Sequence, residues 1–348
     1  QMEILKNLCR NSSFLIEIFS FIIIINLIFI CNAGSTVKIS CSSIAPKGSL
    51  FEKILQEASI KIKQETEVEI VWIPGQVFGD EIDIARALKE KKIDCAVLTV
   101  NGLRIIIPYF SVLDMPYLVK NYEEGDFIRK EVLPPLLSKL LENEDYILGG
   151  LVEIGFVYFY SKYPLRRIQD FSGKTFWVWP KNIIQEGTFN QLKKFGVKPV
   201  YANIWDVEKL SSNIDIVWGP HYAVLIYGWY KYFQFIVEEP LIYFMAGVLI
   251  RKDTMKKFSK DTQEKVINII RDFSDKASYL IREENKRTEN YLLGNHKYQK
   301  VKFEDSENLE KILKDALWQE LKTKYSLPEW LFLSLIKEVI KFRLNIKK

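Results

Sequence analysis

A chain of 348 residues with 49 Lys and Arg against 44 Asp and Glu carries a net charge of +5. So mild an excess, with no lysine-arginine block interleaved with aromatics, excludes the basic footprint of a nucleic-acid binder. Four cysteines, two histidines and no CxxC spacing leave no metal-binding set and no disulfide framework to read.

Near the N-terminus, Lys6 and Arg10 precede an apolar run from Ile18 to Cys31, broken only by Ser20 and Asn26, and then Cys31-Asn32-Ala33. This is the layout of a secretory signal peptide, residues 1–33, cut after Ala33. The run is shorter than the ~18 residues of a membrane-spanning helix. An uncleaved anchor and a lipid-modified Cys31, which bulky Ile30 disfavours, are the other readings. Export to the periplasm is the expectation. The remaining chain exceeds the size at which one core keeps growing, so two lobes are expected. It retains Cys41 and Cys95, both in apolar strand-like runs and both expected as buried core thiols. An exported protein permits a disulfide between them, but nothing in the sequence demands one.

Strands and helices then alternate. "VKISCSS" reads as a strand, and Ser49 with Glu52 as the capping box of a helix striped by Leu50, Phe51, Ile54, Leu55 and Ala58. "VEIVWI", a helix from Asp80 to about Lys91, and "IDCAVLTV" continue the pattern, which predicts a parallel sheet with right-handed crossovers. A helical region spans about 121–144, with Pro134-Pro135 as a kink or break. Two long strands are expected near 148–160 and 241–250, each placed to run from one lobe to the other. Between them lies a second α/β set: "KTFWVW", a helix near 182–195, "VKPVY", a short helix near 205–210, "IDIVW" and a helix from about His221. A helix from Ser259 or Asp261 to about Leu293 would span on the order of 50 Å, too long for one small lobe. Residues 306–345 read as amphipathic helix.

Catalytic signatures are absent. Gly173-Lys174-Thr175 resembles the end of a phosphate loop, but Ile168 stands where its first glycine belongs. No G-x-G-x-x-G and no G-x-S-x-G occurs. His221 reads as a cap or cleft contact, and His296 as a solvated turn residue. Glu123-Glu124 and Glu238-Glu239 read as exposed faces. Neither a catalytic residue, a metal nor a cofactor is expected. The sharper signal is aromatic. In "DFSGKTFWVWP", alternation puts Trp177 and Trp179 on one face of a strand that Pro180 ends. Trp205, and Trp218 with Tyr222, also fall at strand ends or in the loops that follow. Such positions are either core or the wall of a cleft, because ligands bind beyond the carboxyl ends of strands in these sheets.

The segments "APKGSLFEKILQEASIKIKQET" (45–66), "GQVFGDEIDIARALKEKKIDCAVLTVNGL" (75–103), "VLDMPYLV" (112–119), "RIQDFSGKTFWVWP" (167–180) and "FGVKPVYANIWDVEKLSSNIDIV" (195–217) occur in this order. Together they resemble the solute-binding proteins of tripartite ATP-independent periplasmic (TRAP) transporters, the DctP type. The resemblance implies an α/β, two-lobe periplasmic-binding-protein-like fold (type II-like), with lobes joined by crossing strands and a long helix. Residues 34–152 and about 245–275 would form lobe I, and 153–244 with about 276–305 lobe II. Residues 306–348 would pack on both as C-terminal helices. It also implies a binder, not an enzyme, that passes a small molecule to the membrane permease subunits of its transporter. An exported α/β enzyme and a membrane-tethered sensor domain are the alternatives.

Members of that family that bind organic acids hold the carboxylate with an arginine on the strand after the "D-x-x-G-K" turn. Trp177 stands at that place here, and Phe156 and Val157 follow Gly155 where a second arginine is often found. Further ligand-lining positions fall on Leu98, Thr99, Ile204 and Gly219, with Trp218 and Tyr222 close by and Trp179 on the face of Trp177. A buried carboxylate without a bidentate partner carries a large desolvation cost. The expected ligand is therefore an apolar or aromatic molecule, carrying at most a single carboxylate.

Overall fold

The computed structural model describes residues 37–325 and 327–346. The expected leader, residues 1–33, lies outside them. Among the described residues, no helix is long and apolar enough to cross a membrane.

The first half opens with β1 (Val37–Ser43), helix α1 (Leu50–Glu65) and β2 (Val68–Pro74). Helix α2 (Glu81–Lys89), β3 (Cys95–Thr99) and α3 (Val100–Ile106) follow. Ser49 caps α1 by accepting from the Glu52 N–H at 3.2 Å. The Glu52 carboxylate reaches the Gly48 N–H and not that of Ser49, so the capping box is shifted by one residue. Asp80 and Asp83 make the reciprocal box at the start of α2. Beyond a 3-10 stretch, Pro108–Asp114, come α4 (Tyr122–Phe127), a π turn (Ile128–Val132) and α5 (Leu133–Leu140). The two prolines sit in the first turn of α5, where missing N–H groups do no harm.

Strand β4 (Tyr146–Ser161) leads into β5 (Thr175–Val178), α6 (Ile183–Leu192), β6 (Lys198–Tyr201), β7 (Ile216–Gly219) and α7 (His221–Ile226). The chain continues through β8 (Phe235–Val237) and β9 (Ile242–Arg251). It ends with α8 (Lys260–Asn295), β10 (Gln299–Val301), α9 (Ser306–Glu320) and α10 (Glu329–Ile346). The sheet order is β2-β1-β3-β9-β4-β7-β5-β6, with β8 joining β4 to β10. Strands β1, β2 and β3 are parallel, as are β5, β6 and β7. Two antiparallel strands connect these sets. Residues Tyr146 to Val157 of β4 pair with β9, and Tyr158 to Ser161 pair with β7. The 36 residues of α8, about 54 Å of helix, lie along β4. This is the two-lobe α/β architecture, with crossing strands and a spanning helix.

The cysteines depart from expectation. Parallel pairing of β1 and β3 sets Cys41 opposite Cys95 with Cα atoms 4.5 Å apart, and the two form a disulfide and not a pair of free thiols. Glu124 also departs. It is buried and forked onto Arg343 of α10, with Oε2 2.7 Å from a guanidinium nitrogen, where an exposed face was expected.

Candidate functional site

Two strand ends build one wall. Alternation along β5 turns Trp177 and its successor Trp179 to the same side, with ring centroids 6.1 Å apart and planes at 22°. Trp177 is only 2% exposed and donates from Nε1 to the Ala202 carbonyl at 2.9 Å. Trp229, in the 3-10 turn after α7, meets Trp177 edge-on at 4.9 Å. It stacks on Tyr227 at 5.6 Å, and Tyr227 meets Trp205 at 5.5 Å. The result is a continuous aromatic chain, 179-177-229-227-205. Trp218 of β7 stacks on Phe159 of β4 behind it.

All of this chain but Trp205 borders a cavity of about 150 Å³ between the two halves of the sheet. Trp177, Trp179, Trp218, Gly219, Ile204 and Val157 line it, as do Leu98 and Thr99 at the end of β3. Opposite them stand Ile44 from the loop after β1, Phe51 from α1, and Phe244 and Ala246 from β9. Hydrogen bonds tie the halves together around it. Trp179 Nε1 donates to Asp80 Oδ2 at 2.7 Å, and Trp205 Nε1 to the Gly79 carbonyl at 3.2 Å. The Leu50 N–H donates to the Tyr222 hydroxyl at 2.9 Å, Tyr227 donates to the Ile44 carbonyl at 3.2 Å, and Arg104 donates to the Lys181 carbonyl.

Phe156 and Tyr222 do not line the cavity, against the sequence reading. Adjacent residues of a strand face opposite ways, so Val157 at the cavity turns Phe156 away, into a cluster with Tyr122 and Tyr243. Tyr222 is spent on the closure bond to Leu50 and packs on Phe51. Trp229, Tyr227, Asp114, Asn182 and Gln185 line the cavity and were not singled out. The αL glycine Gly228 ahead of Trp229 marks a turn, but not which way the indole points.

The polar edge of the site is acidic and buried. Burial pushes the Glu81 carboxyl up to about 7, although it accepts from the Thr99 N–H and hydroxyl. Burial pushes Asp114 up to about 7 as well, against the pull of Arg104, whose guanidinium lies 3.5 Å away. Asp80 is raised by burial also. His221, expected as a cap or cleft contact, is buried beneath Tyr158 and bonded to the Tyr160 hydroxyl, and burial lowers it to about 4. Among the described residues, no group of three or more His, Cys, Asp or Glu side chains converges as a metal site requires.

The family model "Bacterial extracellular solute-binding protein, family 7" (DctP) matches residues 40–326. No match is found among curated proteins. Among solved structures, a TRAP periplasmic solute-binding protein from Citrobacter koseri with bound D-glucuronate is 18% identical, with TM-score 0.75, covering 87% of this chain and 99% of that one. A second, from Desulfovibrio salexigens with bound orotic acid, is 14% identical, with TM-score 0.76 and coverage of 87% and 99%. An extracytoplasmic solute receptor from Bordetella pertussis binding pyroglutamic acid is 13% identical, with TM-score 0.76 and coverage of 86% and 99%. At these identities the structures speak for the fold, and the family match over most of the chain speaks for descent: the protein belongs to the DctP-type solute-binding family of TRAP transporters.

Proposed function

We propose that this protein captures a small, largely apolar or aromatic molecule between its lobes and delivers it to the permease of a TRAP transporter. The observation that carries this reading is the aromatic wall, Trp179, Trp177, Trp229 and Tyr227, along an apolar cavity of about 150 Å³. Apolar protein cavities of about this size take up benzene. The relatives' ligands named above are carboxylic acids. At the position where acid binders of the family carry an arginine, this chain has Trp177, a stacking surface with no charge to offer. Lobe I would comprise 34–152 and about 245–275, and lobe II 153–244 and about 276–305. Residues 306–348 would buttress both, and the ligand would close one lobe on the other through β4 and β9.

A leader at 1–33, removed on export, completes the proposal, and the Cys41–Cys95 disulfide supports an oxidising compartment. Native mass spectrometry of the protein purified from its exporting host tests ligand and leader together. The expected result is a chain lacking 1–33 with a co-purified small aromatic or aliphatic molecule. A co-purified dicarboxylate would overturn the apolar reading, and turnover of the molecule would favour the enzyme alternative.

A further inference from the structure

We propose that Asp80 is a positioning residue of the ligand site, one that holds the indole of Trp179 against the cavity only while the two halves of the protein are closed. This rests on the cavity being the ligand site, as proposed above. Asp80 stands at the start of α2, in the half built on β1, β2 and β3, and does not line the cavity. Trp179 follows β5 in the other half and does line it. Its indole makes two contacts at once. The face lies along Trp177, and the Nε1 edge donates to Asp80 Oδ2 at 2.7 Å. The adjacent Gly79 carbonyl takes a second indole N–H from the same half, that of Trp205, at 3.2 Å. Two indoles that follow different strands, β5 and β6, therefore dock on two consecutive residues.

The acceptor is in place before the halves meet. Asp80 Oδ1 accepts from the Glu81 N–H at 2.7 Å, and the Asp80 N–H donates to Asp83 Oδ2 at 3.1 Å. The cap of α2 thus fixes the carboxyl from within its own half. Both oxygens accept hydrogen bonds, which favours the carboxylate and the stronger bonds it makes. The Trp179 backbone is likewise held within its half, by Gln185 of α6, but its indole edge bonds across to Asp80. When the halves part, that bond breaks and the indole loses the orientation it has at the cavity.

The other bonds between the halves lack this combination. Tyr222, Arg104 and Lys181 do not line the cavity, and Tyr227, which does, ends on the neutral Ile44 carbonyl. A ligand that packs on the docked indole favours the closed state, and closure in turn improves the site for the ligand by the same factor.

The test places nitroxide labels at Val77→Cys and Tyr201→Cys, exposed residues a few positions ahead of Gly79 and Trp205. Toluene is the cavity probe. Label distance, toluene affinity by indole emission and melting temperature are read for each variant. Asp80→Asn keeps the cap, because an amide oxygen serves it as well as a carboxylate, but turns an N–H toward the indole N–H. It should lengthen the distance and weaken toluene binding roughly tenfold, the worth of one net hydrogen bond. Trp179→Phe keeps an aromatic face, loses the donor and should also lengthen the distance. The double variant should be no more open than either single one, since both remove the same bond. A lowered melting temperature in Asp80→Asn, with distance and toluene affinity unchanged, would reduce Asp80 to a helix cap and overturn the inference. Effects that simply add in the double variant would overturn it too. Should Asp80→Asn fail to fold, Trp179→Phe, with its cap intact, decides alone, and an unchanged distance overturns the inference. An unsubstituted chain that does not bind toluene would remove the apolar-cavity reading, and the label distances would still decide for or against Asp80.

Discussion

The two faces of β4 do opposite work within one strand. Val152, Ile154 and Val157 face the cavity and leave space. Glu153 and Phe156 face away and leave none. Glu153 is fully buried, accepts from the Tyr243 hydroxyl at 2.7 Å and from Arg282 Nε at 3.1 Å, and Arg282 also forks onto Asp126. Between the faces, the register shifts at Glu153/Gly155. Gly155 has φ +119°, and a Cβ there would lie 2.6 Å from Asn285 Nδ2, so the kink depends on glycine and on close approach of α8. One face is packed and charge-locked, and the other is built around an absence. A crossing strand can in this way hold the lobes together and still leave room for a guest.

The comparison breaks most easily on the locked face. Arg282→Ala should destabilise the fold by about 3–5 kcal/mol, because it strands Glu153 as a buried unpaired charge. Adding Glu153→Gln should recover part of that loss, as read by denaturant unfolding. Phe156→Ala should cost about 3–5 kcal/mol through the cavity it leaves between Tyr122 and Tyr243. It should leave the affinity for any bound molecule within about twofold, well under the tenfold that 1.4 kcal/mol represents. A comparable loss of affinity would show that the two faces are not separate.

Acidity sharpens the comparison from the cavity side. Glu81 and Asp114 keep their protons in the folded state up to about pH 7. Unfolded, they release them near pH 4. Each therefore stabilises the fold fully below about pH 4, and this is lost as pH rises toward 7, at up to about 1.4 kcal/mol per unit and proton. His221, lowered to about 4, acts the other way, but only below about pH 6.5. The melting temperature should fall between pH 5.5 and 7.5, and Asp114→Asn should flatten the fall. A rise over that range would mean that these carboxyls are ionised in the fold.

Trp177→Phe should have the smallest effect, about 1–2 kcal/mol, through loss of the bond to the Ala202 carbonyl and of a little buried area. Trp177→Ala cannot separate core from cleft, since the indole is both packed and cavity-lining. The phenylalanine variant can. It keeps the aromatic face, so a loss of ligand affinity much beyond that of stability would assign the indole itself to recognition.

Periodicity alone determined much of this molecule: the alternation of strands and helices, the long β4, β9 and α8, and a shared face for Trp177 and Trp179. These are local properties, set by side-chain spacing along one segment. The ordered motifs carried the family and, with it, the two-lobe plan. What only the tertiary structure decided depends on register and on which segments meet. Cys41 faces Cys95 because β1 and β3 pair in that register, so two apolar-run cysteines became a disulfide. Phe156 and Val157 looked equally eligible until pairing with β9 gave each a face. Asp114 stands in a motif quoted for its pattern, and Gln185 in the first turn of an ordinary helix. Only the approach of the two lobes brought both residues to the lining of one apolar cavity. Partners far apart in sequence leave no periodic trace, because the chain between them is free to place them anywhere until the fold closes.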